Sequence, residues 1–395
     1  MGGPSQHLEA LVGRFDHEVM DVPNGRARIR LEVRGHGSWD VVINGKRAKL
    51  APASQEKPDA LLTADPATWQ AISKDIRGGM QAWGQGRLTI RQNMHLGVGI
   101  LAATSGNKQP GRLEFTRTRT RAGTISHLQA GQGEPILLLH GLGGTKASFL
   151  PTVSALAQDF RLIAPDHLGF GESDKPIAAP YDAPFFARAA IALLDKLGIE
   201  KAHVVGNSMG GRVALELGFS HPDRVRKLVL LSPSLAWKRD RPWLKVVKAA
   251  RPELGLLQLA PRPAVEAIVR RLIPGGMDGW AAVGLDEFLR SYCTPRGRAA
   301  FYAAARQIYL EEPHGENGFW TRLENLQTES LFVWGKRDKL VPIQFARHVE
   351  KAVPHARHLE QDCGHVPQIE RPAETHKAIK AFLAPRQRQR AAASA

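Results

Sequence analysis

The stretch that decides the fold is Val204-Val205-Gly206-Asn207-Ser208-Met209-Gly210-Gly211-Arg212-Val213-Ala214. It reads as a short apolar strand, a glycine-flanked turn carrying a serine, and the opening of an Ala/Leu helix. The spacing Gly206-x-Ser208-x-Gly210 belongs to a turn that exposes a serine at its tip. Such a turn brings neighbouring backbone so close that side chains at 206 or 210 would collide, which glycine avoids. The helix starting after Ser208 aims free N–H groups at the place where negative charge would develop during attack by the hydroxyl. Ordinary strand-to-helix turns carry the same pentapeptide, so the remainder of the chain has to discriminate.

Outward from this turn, strands alternate with amphipathic helices. Ile136-Leu137-Leu138-Leu139, Arg161-Leu162-Ile163-Ala164, His203-Val204-Val205, Leu228-Val229-Leu230-Leu231 and Leu331-Phe332-Val333-Trp334 are apolar runs of the kind buried strands show. Residues 113–129 read as an opening antiparallel hairpin. The alternation predicts an α/β domain with a mostly parallel sheet and helices on both faces over residues 113–384. Between Leu235 and Trp320 the rhythm breaks into a helical pattern carrying Trp237, Trp243 and Trp280 and interrupted by Pro242, Pro252, Pro261, Pro263 and Pro274. This predicts a helical lid at about 235–320, and the Arg/Gln/Ala-rich residues 385–395 predict a disordered tail.

Composition sets outer bounds. The 395 residues favour two domains, and a hydrophobic share of 43% is enough to bury cores in both. Two cysteines, Cys293 and Cys363, argue against a disulfide framework and for a reducing, cytoplasmic setting. The first residues offer neither a basic nor an apolar leader region, Gln6 replaces the Ser or Thr of a myristoylation signal after Gly2, and no apolar run approaches the roughly 18 residues of a membrane span. The net charge of +16 is shared, with 18 Lys+Arg against 11 Asp+Glu up to Ala122 and 36 against 27 beyond it. The densest cluster, Arg117, Arg119 and Arg121, would share one face of a strand. No zinc spacing, aromatic-interleaved RNA motif or recognition helix accompanies the charge, so nucleic acid is not an expected partner. Loose contact with an anionic membrane surface is compatible with it.

Residues 1–105 form a separate small α+β text, followed by the turn-rich linker 106–112. Gly37 to Lys46 reads as a strand entering an Asn44-Gly45 hairpin turn, and Asp59 to Asp65 as a second strand. Asp65-Pro66 opens a helix with Trp69, Ile72, Ile76 and Met80 on one face. Gly84 to Asn93 turns back into a strand, and an apolar helix follows from Met94. The hairpin, "LLTADPATWQAIS" and "GQGRLTIRQN" together resemble the sterol carrier protein 2 (SCP2) domain. That resemblance implies a lipid-binding fold with an apolar cavity; taken alone, the same apolar residues read as plain core.

Four further features cluster around Ser208. His140-Gly141-Leu142-Gly143-Gly144 directly follows a buried strand, and such a loop can turn backbone N–H groups toward the serine. The oxyanion donors are expected to be the N–H groups of Met209 and Leu142, the latter in preference to Gly143, with His140 and Gly141 supporting the loop. Asp338 lies in the loop after a late strand, in Trp334-Gly335-Lys336-Arg337-Asp338, and His365 in the short loop Asp362-Cys363-Gly364-His365. Asp166 and His167 offer a rival acid and base, but too early for the chain order Ser…Asp…His, so they read as structural. Cys363 reads as a small packing residue.

Together these motifs resemble the α/β-hydrolase superfamily over residues 113–384. The resemblance implies Ser208 as nucleophile, His365 as general base and then acid, and Asp338 as the group holding the histidine's tautomer. It calls for neither a metal nor an organic cofactor. Serine at the elbow argues against the epoxide hydrolases and haloalkane dehalogenases, which use aspartate there. Hydrolysis of lipophilic carboxylic esters through an acyl-enzyme is the expected activity. Hydrolysis of a carbon–carbon bond in a ring-cleavage product is the alternative: "GNSMGG" resembles those enzymes, whereas Val366 stands where they carry Trp and the "HGLGG" loop is shorter than theirs. A third reading, of another class, is a lipid carrier in which the second domain is scaffold; an intact Ser-Asp-His set speaks against it. The sequence leaves acyl specificity and oligomeric state open.

Overall fold

The computed structural model describes residues 4–74, 82–83, 85–237, 244–249, 251–272 and 279–384. They pack as two compact units. The first takes in the described residues up to Arg117 with Leu128–Ala130 and Ala260–Cys293; the second takes in Thr118–His127, Gly131–Leu259 and the described residues from Thr294 onward.

In the first unit β1 (Arg26–Val33), β2 (Gly37–Asn44), β3 (Arg47–Pro52), β4 (Ala60–Ala64) and β5 (Leu88–Arg91) form one sheet in the order β3-β2-β1-β4-β5. β1 runs parallel to β4, and the other pairings are antiparallel. Alternation in β1 buries Ala27, Ile29, Leu31 and Val33 on one face, as a half-buried strand requires. Asn44-Gly45 turns β2 into β3, with Gly45 at φ 58°. Asp65 caps the helix Pro66–Lys74 by accepting the Thr68 N–H at 2.8 Å. Trp69 and Ile72 on that helix are fully buried, and Trp69 Nε1 donates to the Glu32 carbonyl at 2.9 Å. Ile76 and Met80, read as the same face, lie outside the described residues. The helix Met94–Ala103 is buried almost from end to end, and Asn93 caps it.

One buried carboxylate ties the far side of this sheet. Asp40 accepts hydrogen bonds from Arg28, Arg30 and Ser54. Burial alone would raise its pKa, but the two guanidinium groups and the Ser54 N–H bring it down to about 2.

Two helices from the stretch read as a lid, Arg262–Leu272 and Trp280–Tyr292, pack within this first unit. Asp286 accepts from Arg91 Nε at 2.7 Å, from the Gln92 N–H at 2.9 Å and from Arg262 at 2.9 Å. Its neighbour Glu287 accepts the Met94 N–H at 2.9 Å. The Trp280 ring stands edge-on to Trp83 with centroids 4.1 Å apart. The described part of the stretch is mostly helical, with Leu244–Ala249, Pro252–Leu257, Arg262–Leu272, Trp280–Tyr292 and Pro295–Tyr309 joined by non-helical connections, but helical periodicity carries no information about which sheet a helix docks on. Pro242, Trp243 and Pro274 lie outside the described residues.

The second sheet has the order β13-β12-β11-β10-β8-β9-β7-β6, with β6 Glu114–Thr120, β7 Gly123–Ala130, β8 Glu134–Leu139, β9 Phe160–Pro165, β10 Ala202–Asn207, β11 Val225–Leu231, β12 Ser330–Gly335 and β13 Arg357–Gln361. From β9 across to β13 every neighbouring pair is parallel. β10 and β12 are buried at every residue, the signature of central strands covered on both faces. Ser208 sits at the carboxyl end of β10, where open α/β sheets place their sites. Among the described residues no helix is long and apolar enough to cross a membrane.

The helix Met209–Ser220, which leads away from Ser208, carries a buried ion cluster. Arg212 pairs with Glu216 at 3.0 Å and with Glu311, Arg322 reaches Glu216 at 2.6 Å, and the Ser220 hydroxyl donates to Glu216 at 2.7 Å. Burial would push the Glu216 carboxyl up, yet these partners hold it at about 2. Arg212→Leu leaves Glu216 and Glu311 short of a cation, so urea unfolding at neutral pH should show a loss of about 3–5 kcal/mol. Because the folded pKa of Glu216 lies below its ordinary 4.5, its contribution is complete above that pH and fades as pH falls toward about 2. The gap between variant and parent should therefore narrow over that window.

Candidate active site

Ser208 occupies a backbone conformation that few residues adopt. Its φ of 54° and ψ of −118° place it in a sparsely populated region, held there by its N–H donating to Leu231 at 3.0 Å and its carbonyl accepting from Arg212 and Ser234. The glycines on either side are required by contact distance. A Cβ on Gly210 would lie 1.9 Å from the Leu139 carbonyl oxygen, and one on Gly206 would lie 2.2 Å from the Gly210 oxygen. Neither neighbour can give way, since both are backbone.

His365 lines the same pocket as Ser208, and its Nδ1 lies 2.7 Å from Asp338 Oδ2. Asp338 is itself oriented, because Oδ1 accepts the N–H groups of Leu340 at 2.8 Å and Val341 at 2.9 Å. The carboxylate fixes the proton on Nδ1 and leaves Nε2 as the basic nitrogen. Asn207, which the sequence did not single out, joins the two loops: its Nδ2 donates to the Leu231 carbonyl at 2.9 Å and to the His365 carbonyl at 3.1 Å. Its position inside the elbow pentapeptide was the available signal.

Met209 is the first residue of its helix, so its N–H belongs to the unbonded first turn. The glycine loop runs past the serine closely enough that a Cβ on Gly141 would be 3.2 Å from Ser208 Cβ. Gly143 takes φ 73°, and the Gly144 N–H closes a turn onto Gly141 at 3.0 Å, with Leu142 between them, partly buried against the core. His140 is buried behind this loop. Its Nε2 accepts the His167 N–H at 3.0 Å, so Nδ1 carries the proton and donates to the Gly141 carbonyl at 2.8 Å. Burial lowers its pKa, which keeps the ring neutral in this role.

Asp166 and His167 do not line the pocket with Ser208. Asp166 is fully buried and accepts from the Lys146 N–H at 2.7 Å, from Lys146 Nζ at 2.5 Å and from the Glu172 N–H at 2.8 Å. Burial opposes ionisation, but Lys146 holds the carboxyl well below the usual range. The pair fastens the chain immediately after the glycine loop. Burial pushes the Cys363 thiol up to about 11, so it is uncharged at neutral pH, and neither Cys293 nor Cys363 forms a disulfide. Among the described residues no group of three or more His, Cys, Asp or Glu side chains could hold a metal ion.

The pocket is small, and its surface is polar and apolar in nearly equal parts. Besides Ser208, Ser234 and His365 it is lined by Leu235, Trp237, Ile308, Tyr309, Leu340, Val341 and Phe345, and its free volume of about 20 Å³ admits little more than a water. Ser234 is the second residue that sequence reasoning passed over. Its hydroxyl lies 3.3 Å from Ser208 Oγ, and its N–H donates to the Ser208 carbonyl at 2.9 Å.

A strained serine at the end of a central parallel strand, a carboxylate-oriented histidine beside it and a glycine loop overhead define a hydrolase built on the α/β sheet. The chain belongs to the α/β-hydrolase family, whose model matches residues 134–257, and residues 19–100 match the SCP-2 sterol transfer family. It is 31% identical to a 2-hydroxymuconate semialdehyde hydrolase of Pseudomonas sp. (strain CF600), over 69% of this chain and 94% of that protein. It is 29% identical to a 2-hydroxy-6-oxo-6-phenylhexa-2,4-dienoate hydrolase of Burkholderia cepacia, over 65% of this chain and 89% of that one. Among solved structures, Est816, described as an N-acyl homoserine lactone degrading enzyme, aligns with a TM-score of 0.54 at 26% identity, covering 68% of this chain and all of that one.

Ser234→Ala removes the hydroxyl that anchors Ser208 Oγ. A net hydrogen bond is worth about 0.5–1.5 kcal/mol, so labelling by a fluorophosphonate probe should slow by roughly 2- to 10-fold with the melting temperature unchanged. An unaltered labelling rate would show that the contact does not position the Ser208 hydroxyl.

Proposed function

We propose that this protein hydrolyses neutral, lipophilic carboxylic esters at Ser208. The observation that carries the reading is the pocket lining: among the described residues that form it, six are apolar and none is Lys or Arg. A dienoate substrate brings a carboxylate into the site, and a buried carboxylate without a cation beside it is costly. An ester with apolar arms has no such requirement.

In the proposed mechanism His365 Nε2 takes the Ser208 proton as Oγ attacks the ester carbonyl. The N–H groups of Met209 and Leu142 receive the oxyanion, each such donor being typically worth about 2.7–4 kcal/mol. The histidine then protonates the departing alkoxide, and Asp338 stabilises the imidazolium between these steps. Water, activated by the same histidine, attacks the acyl-enzyme and releases the acid, with the proton returned to Ser208. Degradation of a lactone, a cyclic ester, by Est816 supports this chemistry on a similar framework. The SCP2-like unit fits the same substrate class by holding an acyl lipid; failure of the full-length chain to bind any fatty acid or sterol in displacement titrations would remove that part.

Carbon–carbon hydrolysis is the second reading, favoured by the two dienoate- and semialdehyde-hydrolysing relatives. It needs the same nucleophile and base. Val366, in place of the Trp that such enzymes carry after the histidine, weighs against it.

The deciding experiment is turnover of p-nitrophenyl esters from acetate to palmitate beside 2-hydroxy-6-oxo-6-phenylhexa-2,4-dienoate, with the parent protein and Ser208→Ala. Ester turnover that falls by roughly 10⁴–10⁶-fold in the variant is the expected result. Dienoate cleavage without ester cleavage would replace the ester reading by the carbon–carbon one.

A further inference from the structure

The short helix Pro252–Leu257 and the two residues after it hold three large apolar side chains in solvent. Leu254 is 50% exposed, Leu257 81% and Leu259 91%. Single exposed leucines are ordinary, but three within six residues form a patch.

The backbone beneath these leucines is firmly held. Arg298, itself buried, donates from Nε to the Gly255 carbonyl at 3.1 Å and from a terminal nitrogen to the Gln258 carbonyl at 2.6 Å. The Tyr302 hydroxyl donates to Gln258 Oε1 at 2.6 Å. Gly255 packs so tightly on the helix Pro295–Tyr309 that a Cβ there would lie 2.7 Å from the Ala299 nitrogen. A buried arginine and a glycine contact are thus committed to a turn whose leucines face water. Ile308 and Tyr309, at the other end of the same helix, line the Ser208 pocket.

We infer that residues 254–259 are a docking element for an anionic lipid surface, with Leu254, Leu257 and Leu259 entering the boundary between headgroups and acyl chains. Charge selects this occupant. Residues 244–259 carry Lys245, Lys248 and Arg251 against Glu253 alone, and Lys248 and Arg251 are exposed next to the leucines in sequence. The whole chain adds a net +16 to the long-range attraction toward negative headgroups. A second copy of this chain is the poorer match: three leucines cannot supply the roughly 800 Å² per partner that a stable dimer buries, and two copies would oppose like charges. Insertion by a few apolar side chains flanked by cations is what an interfacial segment uses.

The test is sedimentation of the full-length protein with vesicles of phosphatidylglycerol and phosphatidylcholine in equal parts, and with phosphatidylcholine alone. Parent protein is compared with Leu257→Asp/Leu259→Asp and with Leu257→Ser/Leu259→Ser, and circular dichroism melting confirms that each variant is folded. Binding of the parent to the anionic vesicles, weakened by 0.5 M salt in line with a short screening length of about 4 Å, and a fall of at least tenfold in both variants is the expected result. No binding by the parent, or equal binding by folded variants, overturns the inference. A parent dimer that both variants convert to monomer, without vesicle binding, would reassign the face to contact between copies. None of these outcomes depends on ester turnover, so the docking element and the proposed activity stand or fall separately.

Discussion

The helix that follows Ser208 can begin only because Gly210 lies against the end of β8. The Leu139 carbonyl occupies the space that a side chain at 210 would need, and Gly206 and Gly210 face each other across the turn with no room for a methyl group on either. That close approach sets the angle between β10 and the helix Met209–Ser220, and it puts Ser208 at φ 54°. A serine in this conformation costs free energy, which the surrounding β8, β10 and β11 packing offsets. Every other element of the site is placed relative to this turn. Asn207 reaches back to hold the His365 loop, Gly141 passes over Ser208 Cβ, and Ser234 donates to the Ser208 carbonyl.

Two buried ion networks brace the turn from different sides. Lys146 and Asp166 lock the chain just after the glycine loop, and Arg212, Glu216, Glu311 and Arg322 lock the helix just after Ser208. Buried pairs are poor sources of net stability because desolvation consumes most of the attraction. Their value here is directional: each carboxylate accepts several donors, so the loop or helix it holds has one arrangement that satisfies them all. His140 plays the neutral counterpart, its two ring nitrogens spent on the Gly141 carbonyl and the His167 N–H.

The first unit shows the same economy in a different fold. Asp40 gathers two arginines and Ser54 on one side of the sheet, while Asp286 and Glu287 accept backbone N–H groups from the ends of β5 and the helix Met94–Ala103. A segment far along the chain thereby becomes part of the amino-terminal unit. Its helices were legible from proline spacing and apolar periodicity, but its docking was not. Asp286 and Glu287 look like solvated helix charges in the sequence, and only the approach of Gln92 and Met94 makes them ligands for backbone.

The sequence by itself determined the local grammar. The Gly206-x-Ser208-x-Gly210 turn, the apolar runs of β8 to β12, the Asn44-Gly45 hairpin and the Asp65 cap each depend on backbone conformation and on neighbours within a few residues, which residue type controls directly. β1 carried the same information in the alternation of Ala27, Ile29, Leu31 and Val33 with the polar residues between them. What the tertiary structure alone decided are relations between residues remote in sequence: His365 Nδ1 on Asp338, Asn207 on the His365 carbonyl, Ser234 beside Ser208, and residues 260–293 in the first unit. A hydrogen bond of 3 Å between side chains depends on the angles of every element separating them, and no spacing along the chain records those angles.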